Sequence, residues 1–255
     1  MQNVTLDIRG ASVRVMSYGD GAPMVLVHGL AGSTAWWVRN VNVLSRHRAV
    51  YLIDLPGFGS MHRYAEQFSV AGSAEWLAGV LSALNLSRPA LVGHSMGGLI
   101  AAMFAARYPD QIEKLILAAP AIALLHKSVL RYLVPLMRQV AYVQPGFLPT
   151  LVRDAARAGL LTLLRASREL LTIDIKQELA NIATPSLLIF GEHDRLVPVS
   201  LATKLQSEIP GSCLSVLPRA GHIVMYDQPD LFNKAVIGFL SDLAATNSAT
   251  NSAGR

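Results

Sequence analysis

The sequence contains little cysteine, few charged residues and no long uninterrupted apolar run. Its one cysteine, Cys213, excludes an intramolecular disulfide and favours a reducing compartment, so we expect a cytoplasmic protein. Charged residues make up 15% of the 255 positions, against about 25% in ordinary soluble domains, so the chain is apolar for its size. The longest apolar run covers residues 115–125, includes Pro120 and is shorter than the roughly 20 residues of a membrane-spanning helix. The first residues also lack the basic start and apolar stretch of a signal peptide, so we expect neither a transmembrane segment nor a leader.

Positive charge is concentrated in one part of the chain. Residues 126–170 hold seven lysines and arginines against two acids, which accounts for the whole formal net charge of +5. A regional excess of this kind argues against a surface built to bind nucleic acid. Arg153 and Arg157 are four positions apart and share one side of a predicted helix. That side is either a solvated surface or a face that attracts an anionic interface or substrate.

Short strand-like runs alternate with helical patterns through most of the chain, which predicts an α/β fold with a parallel sheet. The strand-like runs lie near residues 4–8, 12–18, 24–27, 49–53, 90–92, 115–117, 186–190 and 214–217. The alternation stops between about residues 120 and 182, where apolar residues recur at helical spacing. We therefore predict a core domain of residues 1–119 and 183–244, a helical cap of residues 120–182 and a disordered tail of residues 245–255.

A serine lies in the tight turn that joins a predicted strand to the next helix. Residues 93–98 read Gly-His-Ser-Met-Gly-Gly, a G-x-S-x-G pattern between the strand and the helix. Such a turn lifts the serine hydroxyl clear of the backbone at the carboxyl end of the sheet, over the positive end of a helix. Ser95 is therefore the candidate nucleophile.

A serine nucleophile needs a histidine base and a carboxylate that orients the base. His222 follows the last predicted strand and Asp194 follows the strand before it, so both are expected at the same sheet edge as Ser95. Glu192 and Asp227 remain alternative orienting or helper carboxylates. The chain has no histidine pair or carboxylate cluster spaced for a metal and no dinucleotide-binding glycine pattern, so we expect no metal and no cofactor.

Five separate motifs follow one another along the chain. They are His28-Gly29, Asp54-Leu55-Pro56-Gly57-Phe58-Gly59, residues 93–98, Gly191-Glu192-His193-Asp194 and Gly221-His222. With these motifs the chain resembles the α/β-hydrolase fold superfamily from Val4 to Leu243, as a serine carboxylesterase-like member with a helical cap. The resemblance implies an eight-stranded, mostly parallel sheet flanked by helices, with only the second strand antiparallel and the cap inserted after the sixth strand.

Two backbone amides are expected to form an oxyanion hole. One is the amide of the residue after the nucleophile, Met96, at the start of a helix. The other is implied by the resemblance to esterases, in which the residue after His-Gly contributes its N–H, here Leu30. His28 and His94, which lie next to these positions, are expected to be structural.

The substrate pocket is expected where the cap faces Ser95. The residues predicted to line it are Trp36, Trp37, Leu133, Met137, Tyr142, Phe147, Val197 and Ile223, and the apolar underside of the cap is expected to include Leu148, Leu160 and Leu164. We therefore expect hydrolysis of small to medium hydrophobic carboxylic esters through an acyl-enzyme, with a small molecule as the partner.

Other reactions on the same three residues remain open. They are hydrolysis of a carbon–carbon bond, as in meta-cleavage product hydrolases, and hydrolysis of a lactone. Carbon–carbon hydrolases usually carry a Gly-Pro-Gly-like run after His-Gly, and residues 28–33 depart from that pattern. A ligand-binding receptor with slow turnover is a further alternative.

Overall fold

A computed structural model describes the backbone of residues 1–122, 139 and 142–252, and the side chains of these residues other than 66–67 and 242–252. Leu133 and Met137, both predicted pocket residues, lie outside the described residues. Eight strands form one sheet: β1 Gln2–Ile8, β2 Ala11–Tyr18, β3 Pro23–Val27, β4 Ala49–Ile53, β5 Ala90–His94, β6 Lys114–Ala118, β7 Ser186–Gly191 and β8 Cys213–Leu217.

The sheet is mostly parallel and has the strand order β1-β2-β4-β3-β5-β6-β7-β8. β2 runs antiparallel to both of its neighbours, and the other pairs are parallel. The fold class expected from the sequence is thereby confirmed. Every residue of β5 and β6 is buried, as continuous apolar runs require when helices cover both faces of a parallel sheet. The carboxyl ends of β5, β7 and β8 lie at the same edge of the sheet.

Helices pack on both faces of this sheet. They are α1 Val41–Leu44, α2 Val70–Ala83, α3 Met96–Arg107, α4 Leu148–Ala158, α5 Leu160–Thr172, α6 Lys176–Leu179, α7 Val199–Glu208, α8 Val224–Asp227 and α9 Pro229–Ser252. Along β3, Val25 and Val27 join an apolar core with α2 and α3, whereas Met24 and Leu26 join a second core with α9. Because successive side chains of a strand point to opposite faces of the sheet, β3 contributes to both cores. Among the described residues, no helix is both long and apolar enough to cross a membrane.

Between β6 and β7 the described residues form α4, α5 and α6 and no strand. The division of the chain into a core domain and a cap of residues 120–182 stays a prediction. Leu148, Leu160 and Leu164 are exposed, which corrects their expected place on an apolar underside. The reason is that the inward sides of α4 and α5 are occupied by Ala158 and Ala166, so the leucines lie on the outer sides of the two helices.

The last helix extends further along the chain than the sequence predicts. α9 continues to Ser252, beyond the end near Leu243 that the sequence predicts, and the disordered tail of residues 245–255 stays a prediction. Residues 245–252 include neither glycine nor proline, and each residue added to an existing helix gains one backbone hydrogen bond. A helix anchored by the buried Phe232 and Val236 can therefore continue without apolar contacts of its own.

Candidate active site

The turn between β5 and α3 holds Ser95 in a backbone conformation that residues other than glycine rarely adopt. Its φ and ψ are 52° and −114°. Such a conformation costs about 1–3 kcal/mol and persists only where the surrounding structure imposes it. The surroundings are tight, because a Cβ atom on Gly93 would lie 2.2 Å from the Gly97 carbonyl oxygen. The Ser95 amide donates to the Ala118 carbonyl oxygen at 2.9 Å. The turn therefore fixes the serine at the carboxyl edge of the sheet.

Ser95, His222 and Asp194 form one continuous chain of hydrogen bonds. His222 Nε2 lies 2.9 Å from Ser95 Oγ, and His222 Nδ1 lies 2.7 Å from Asp194 Oδ2. Because an ionised carboxylate only accepts, Nδ1 carries the ring proton and donates it to Asp194, which leaves Nε2 to accept from the serine hydroxyl. All three residues are buried. This arrangement can take the proton from the serine hydroxyl as the oxygen attacks an electrophile.

Asp194 is held by the backbone that follows β7. Its Oδ1 accepts from the amide of Leu196 at 2.8 Å and from the amide of Val197 at 2.9 Å. The predicted pocket residue Val197 thus contacts the carboxylate through its backbone. These two bonds leave Asp194 Oδ2 for His222.

The two alternative carboxylates have other partners. Glu192 is exposed, and its Oε2 accepts from the amide of Arg219 at 2.9 Å. Asp227 Oδ2 accepts from the amide of Gly221 at 2.9 Å, and burial raises the pKa of Asp227 to about 6. Asp194 is therefore the carboxylate that the structure brings to the His222 ring.

Two buried histidines order the backbone around these residues. Burial lowers the pKa of His94 well below its ordinary value, and the Nε2–H of the neutral ring donates to the His222 carbonyl oxygen at 2.9 Å. Burial also lowers the pKa of His28. The Leu55 amide donates to His28 Nε2 at 3.0 Å, so the ring proton of His28 is on Nδ1 and is donated to the Gly29 carbonyl oxygen at 2.8 Å. His28 and His94 thus hold the loops on either side of Ser95.

The amides of Leu30 and Met96 can donate at the expected oxyanion hole. Met96 is the first residue of α3, so its N–H has no intrahelical acceptor. Within the part of the chain that the structure describes, the Leu30 amide has no acceptor either. The Leu30 loop approaches the nucleophile closely, since a Cβ atom on Gly29 would lie 3.0 Å from Ser95 Cβ and 2.8 Å from His94 Nδ1. Two amides with no other acceptor, beside a serine, suit a developing negative oxygen.

A buried carboxylate of α4 joins the loop after β3 to the segment between β6 and β7. Asp154 Oδ2 accepts from Ser33 Oγ at 2.6 Å and from Trp36 Nε1 at 3.2 Å. Its Oδ1 accepts from Arg153 Nε at 2.9 Å, and Asp154 is fully buried. In the sequence alone, Asp154 is only one of the two acids among residues 126–170. The available signal was its helical spacing of four residues from Ala158, which places it on the inward side of a helix.

The aromatic residues predicted for the pocket have different surroundings. Trp36 and Phe147 pack edge to face with ring centroids 5.2 Å apart, and the Trp36 ring also lies 5.6 Å from the ring of His94. Trp37 is fully buried and packs against Phe232 of α9. Trp36 and Phe147 thus lie close to the candidate site, while Trp37 contributes to the core under α9.

Tyr142 and Ile223 lie near the loop that carries His222. A Cβ atom on Gly221 would be 3.5 Å from Tyr142 Cβ, but the Tyr142 side chain is 44% exposed and its ring lies beside that of His193. Ile223 is buried. The substrate pocket as a whole stays a prediction. No group of three His, Cys, Asp or Glu side chains that could hold a metal ion occurs among the described residues.

A family model described as the alpha/beta hydrolase fold matches residues 22–177, more than half of the chain. The chain belongs to this family. Within the alpha/beta hydrolase family, it is 30% identical over 266 residues to 2-hydroxy-6-oxo-2,4-heptadienoate hydrolase of Pseudomonas putida (strain F1), covering 91% of this chain and 94% of the relative. It is 31% identical over 243 residues to a protein of Agrobacterium fabrum (strain C58) named as a carbamate hydrolase, RutD, covering 86% of this chain and 93% of the relative.

A solved structure has the same fold. The crystal structure of a serine hydrolase involved in carbazole degradation matches with a TM-score of 0.81 at 22% identity, covering 94% of this chain and 98% of that one. The resemblance to alpha/beta hydrolases seen in the sequence is confirmed. Family membership and the sequence relatives support hydrolase activity, but none of these relatives is named for carboxylic esters.

Proposed function

We propose that the chain hydrolyses a carbon–carbon bond next to a ketone carbonyl, in a substrate of the oxo-dienoate class, with Ser95 as the nucleophile. The observation that carries the proposal is the 30% identity, over 91% of the chain, to the Pseudomonas putida oxo-heptadienoate hydrolase. The hydrogen-bonded series of Ser95, His222 and Asp194 supplies the chemistry that such a reaction needs. The carbon–carbon reaction therefore takes the place of ester hydrolysis as the leading function.

The proposed reaction proceeds through an acyl group on Ser95. His222 Nε2 takes the hydroxyl proton while Oγ forms a bond to the ketone carbon, and the amides of Leu30 and Met96 hold the oxygen as it becomes negative. When the carbonyl reforms, the carbon–carbon bond breaks, its electron pair stays on the leaving carbon, and His222 protonates that carbon. Water, deprotonated by His222, then attacks the acyl carbon. The bond from that carbon to Ser95 Oγ breaks, His222 returns the proton to Oγ, and a carboxylic acid is released. Asp194 keeps the His222 proton on Nδ1 throughout.

Ester hydrolysis is the second candidate, and one feature of the sequence favours it. Residues 28–33 read His-Gly-Leu-Ala-Gly-Ser and depart from the Gly-Pro-Gly-like pattern of ring-cleavage hydrolases. Ser95, His222 and Asp194 would act on an ester in the same way, with an alcohol as the leaving group in place of a carbon group. The relative named as a carbamate hydrolase also favours a substrate whose carbonyl carbon is bonded to oxygen or nitrogen.

The deciding experiment compares turnover of a 2-hydroxy-6-oxo-dienoate, an aryl acetate and a carbamate by the purified chain. We expect the largest kcat/KM for the dienoate. Its turnover is measured by the loss of its conjugated absorption. Ser95→Ala should lower kcat for every substrate, by roughly 10⁶-fold if it acts as serine hydrolases do. The exposed Ser207→Ala is the matched control and should leave kcat unchanged. A larger kcat/KM for the acetate than for the dienoate would overturn the carbon–carbon proposal.

A further inference from the structure

Large apolar side chains are exposed on the outer sides of α4 and α5. They are Leu148, Val152, Leu160, Leu161 and Leu164. Leu160 and Leu161 leave 70% and 77% of their surfaces exposed. Scattered exposed leucines are ordinary, but five large apolar side chains exposed on two consecutive helices are more than is ordinary and point to a partner.

The helices already have a separate buried side. On α4, Leu148 and Val152 are four residues apart and share the outer side, while Asp154 and Ala158 share the buried one. On α5, Leu160 and Leu164 are likewise exposed, while Ala166 and Leu170 are buried. Within the part of the chain that the structure describes, the exposed leucines are therefore not needed to pack these helices.

The exposed charged residues of α4 and α5 themselves are all arginines. Arg165 and Arg168 of α5 are exposed and have no hydrogen-bond or ion-pair partner for their guanidinium groups among the described residues. Arg153 and Arg157 of α4 instead line a cleft with Ser33 and Asp54. The two acids of the helices are occupied elsewhere. Asp154 is buried against Ser33 and Trp36, and Glu169 accepts from the Val70 amide at 2.6 Å.

We propose that this α4–α5 face, made of the five apolar residues with Arg165 and Arg168, docks on an anionic lipid surface. Helices that bind in the plane of a membrane combine leucine side chains, which enter the acyl boundary, with arginines that meet anionic headgroups. The charge pattern disfavours a second copy of the chain as the partner. Two such faces in contact would set arginine against arginine, with no exposed acid on either helix to compensate.

The test is co-sedimentation of the full chain with vesicles of phosphatidylcholine alone and of phosphatidylcholine mixed with phosphatidylglycerol. We expect binding to the mixed vesicles only, and weaker binding as salt is raised, because salt screens the attraction between arginines and headgroups. Replacing Arg165 and Arg168 together by glutamine should weaken the partition by about fivefold for each arginine. Leu161→Gln should weaken it by a comparable factor, since it removes an inserted apolar side chain.

Two matched variants outside the face serve as controls. Arg46→Gln removes an exposed arginine before β4, and Leu231→Gln removes an exposed leucine at the start of α9, so both should bind as the unaltered chain does. No binding to mixed vesicles, equal binding to both vesicle types, or equal binding by the face variants and the controls would each overturn the proposal. A chain dimer that Leu161→Gln dissociates in analytical ultracentrifugation would also overturn it. Because binding is measured without turnover, the result does not depend on the proposed reaction.

Discussion

At the scale of single residues, His222 is held at three points. Its ring donates to Asp194, its carbonyl oxygen accepts from His94, and the amide of the preceding Gly221 donates to Asp227. Holding both the ring and the backbone fixes the direction of Nε2 before a substrate binds. Such fixed positions lower the cost of reaching the reactive geometry.

Asp227 makes this arrangement sensitive to pH. We predict that Asp227→Asn raises the free energy of unfolding. Burial is the main cause that raises the Asp227 pKa from 3.8 to about 6. Between these values the folded chain binds the Asp227 proton more tightly than the unfolded chain does. The Asp227 contribution to the free energy of unfolding therefore falls as pH rises from about 4 to about 6. Relative to the unaltered chain, the asparagine variant should gain on the order of 2 kcal/mol of stability across this window.

Urea unfolding at several pH values between about 4 and 8 measures this difference. Asp20→Asn, at an exposed position before β3, is the matched control and should show no comparable gain. Other carboxylates change stability in both chains alike, so the comparison isolates Asp227. A gap between Asp227→Asn and the unaltered chain that stays constant over the pH range would contradict the prediction.

Residues at the ends of strands were the ones that the sequence could predict. Asp194 and His222 lie three and five residues after the ends of β7 and β8, and parallel strands bring such positions to one edge of the sheet. The partner of Asp227 could not be predicted in the same way. Its contact with the Gly221 amide depends on how the chain turns through His222 into α8, and no sequence spacing specifies that turn.

At the scale of elements, α4 and the loop after β3 are joined through Asp154. Ser33 and Trp36 both donate to this buried carboxylate, and the same loop carries the Leu30 amide. A shift of α4 would therefore be transmitted to the expected oxyanion hole.

We predict that Asp154→Ala destabilises the chain by about 2–3 kcal/mol and lowers kcat. The physical reason is that Ser33 Oγ and Trp36 Nε1 lose a charged acceptor inside the protein. Thermal unfolding and steady-state kinetics measure the two effects. Asp174→Ala is the matched control, because Asp174 accepts from the Lys176 amide at an exposed turn of the same segment. Equal stability and equal kcat in the two variants would show that Asp154 does not hold the loop.

The helices between β6 and β7 show where sequence patterns stop being informative. Apolar residues at helical spacing predict the helices, but they do not say which apolar side faces inward. On α5 the small Ala166 is buried and the larger Leu160 is exposed, the reverse of what size alone suggests. Burial is decided by the neighbouring elements, and these lie far away in the sequence.

At the scale of the whole molecule, the sheet and the basic segment have separate physical roles. The motifs at the strand ends, from His28-Gly29 to Gly221-His222, predicted the alpha/beta hydrolase fold because each marks a turn at one edge of the sheet. The type of bond that is hydrolysed depends on the walls of a pocket that the motifs do not describe. The net charge of +5 is carried by residues 126–170, so a surface or substrate that approaches α4 and α5 meets positive charge.

The nucleophilic role of Ser95 is tested most directly by intact-protein mass spectrometry after treatment with a fluorophosphonate, followed by peptide mapping. We predict one adduct for each chain, located on Ser95, and no adduct on Ser95→Ala. Asp194→Asn should be labelled far more slowly, by up to about 10⁴-fold, because His222 loses the partner that fixes its tautomer. An adduct on another residue, or labelling of Ser95→Ala at the rate of the unaltered chain, would contradict a reaction that proceeds through Ser95.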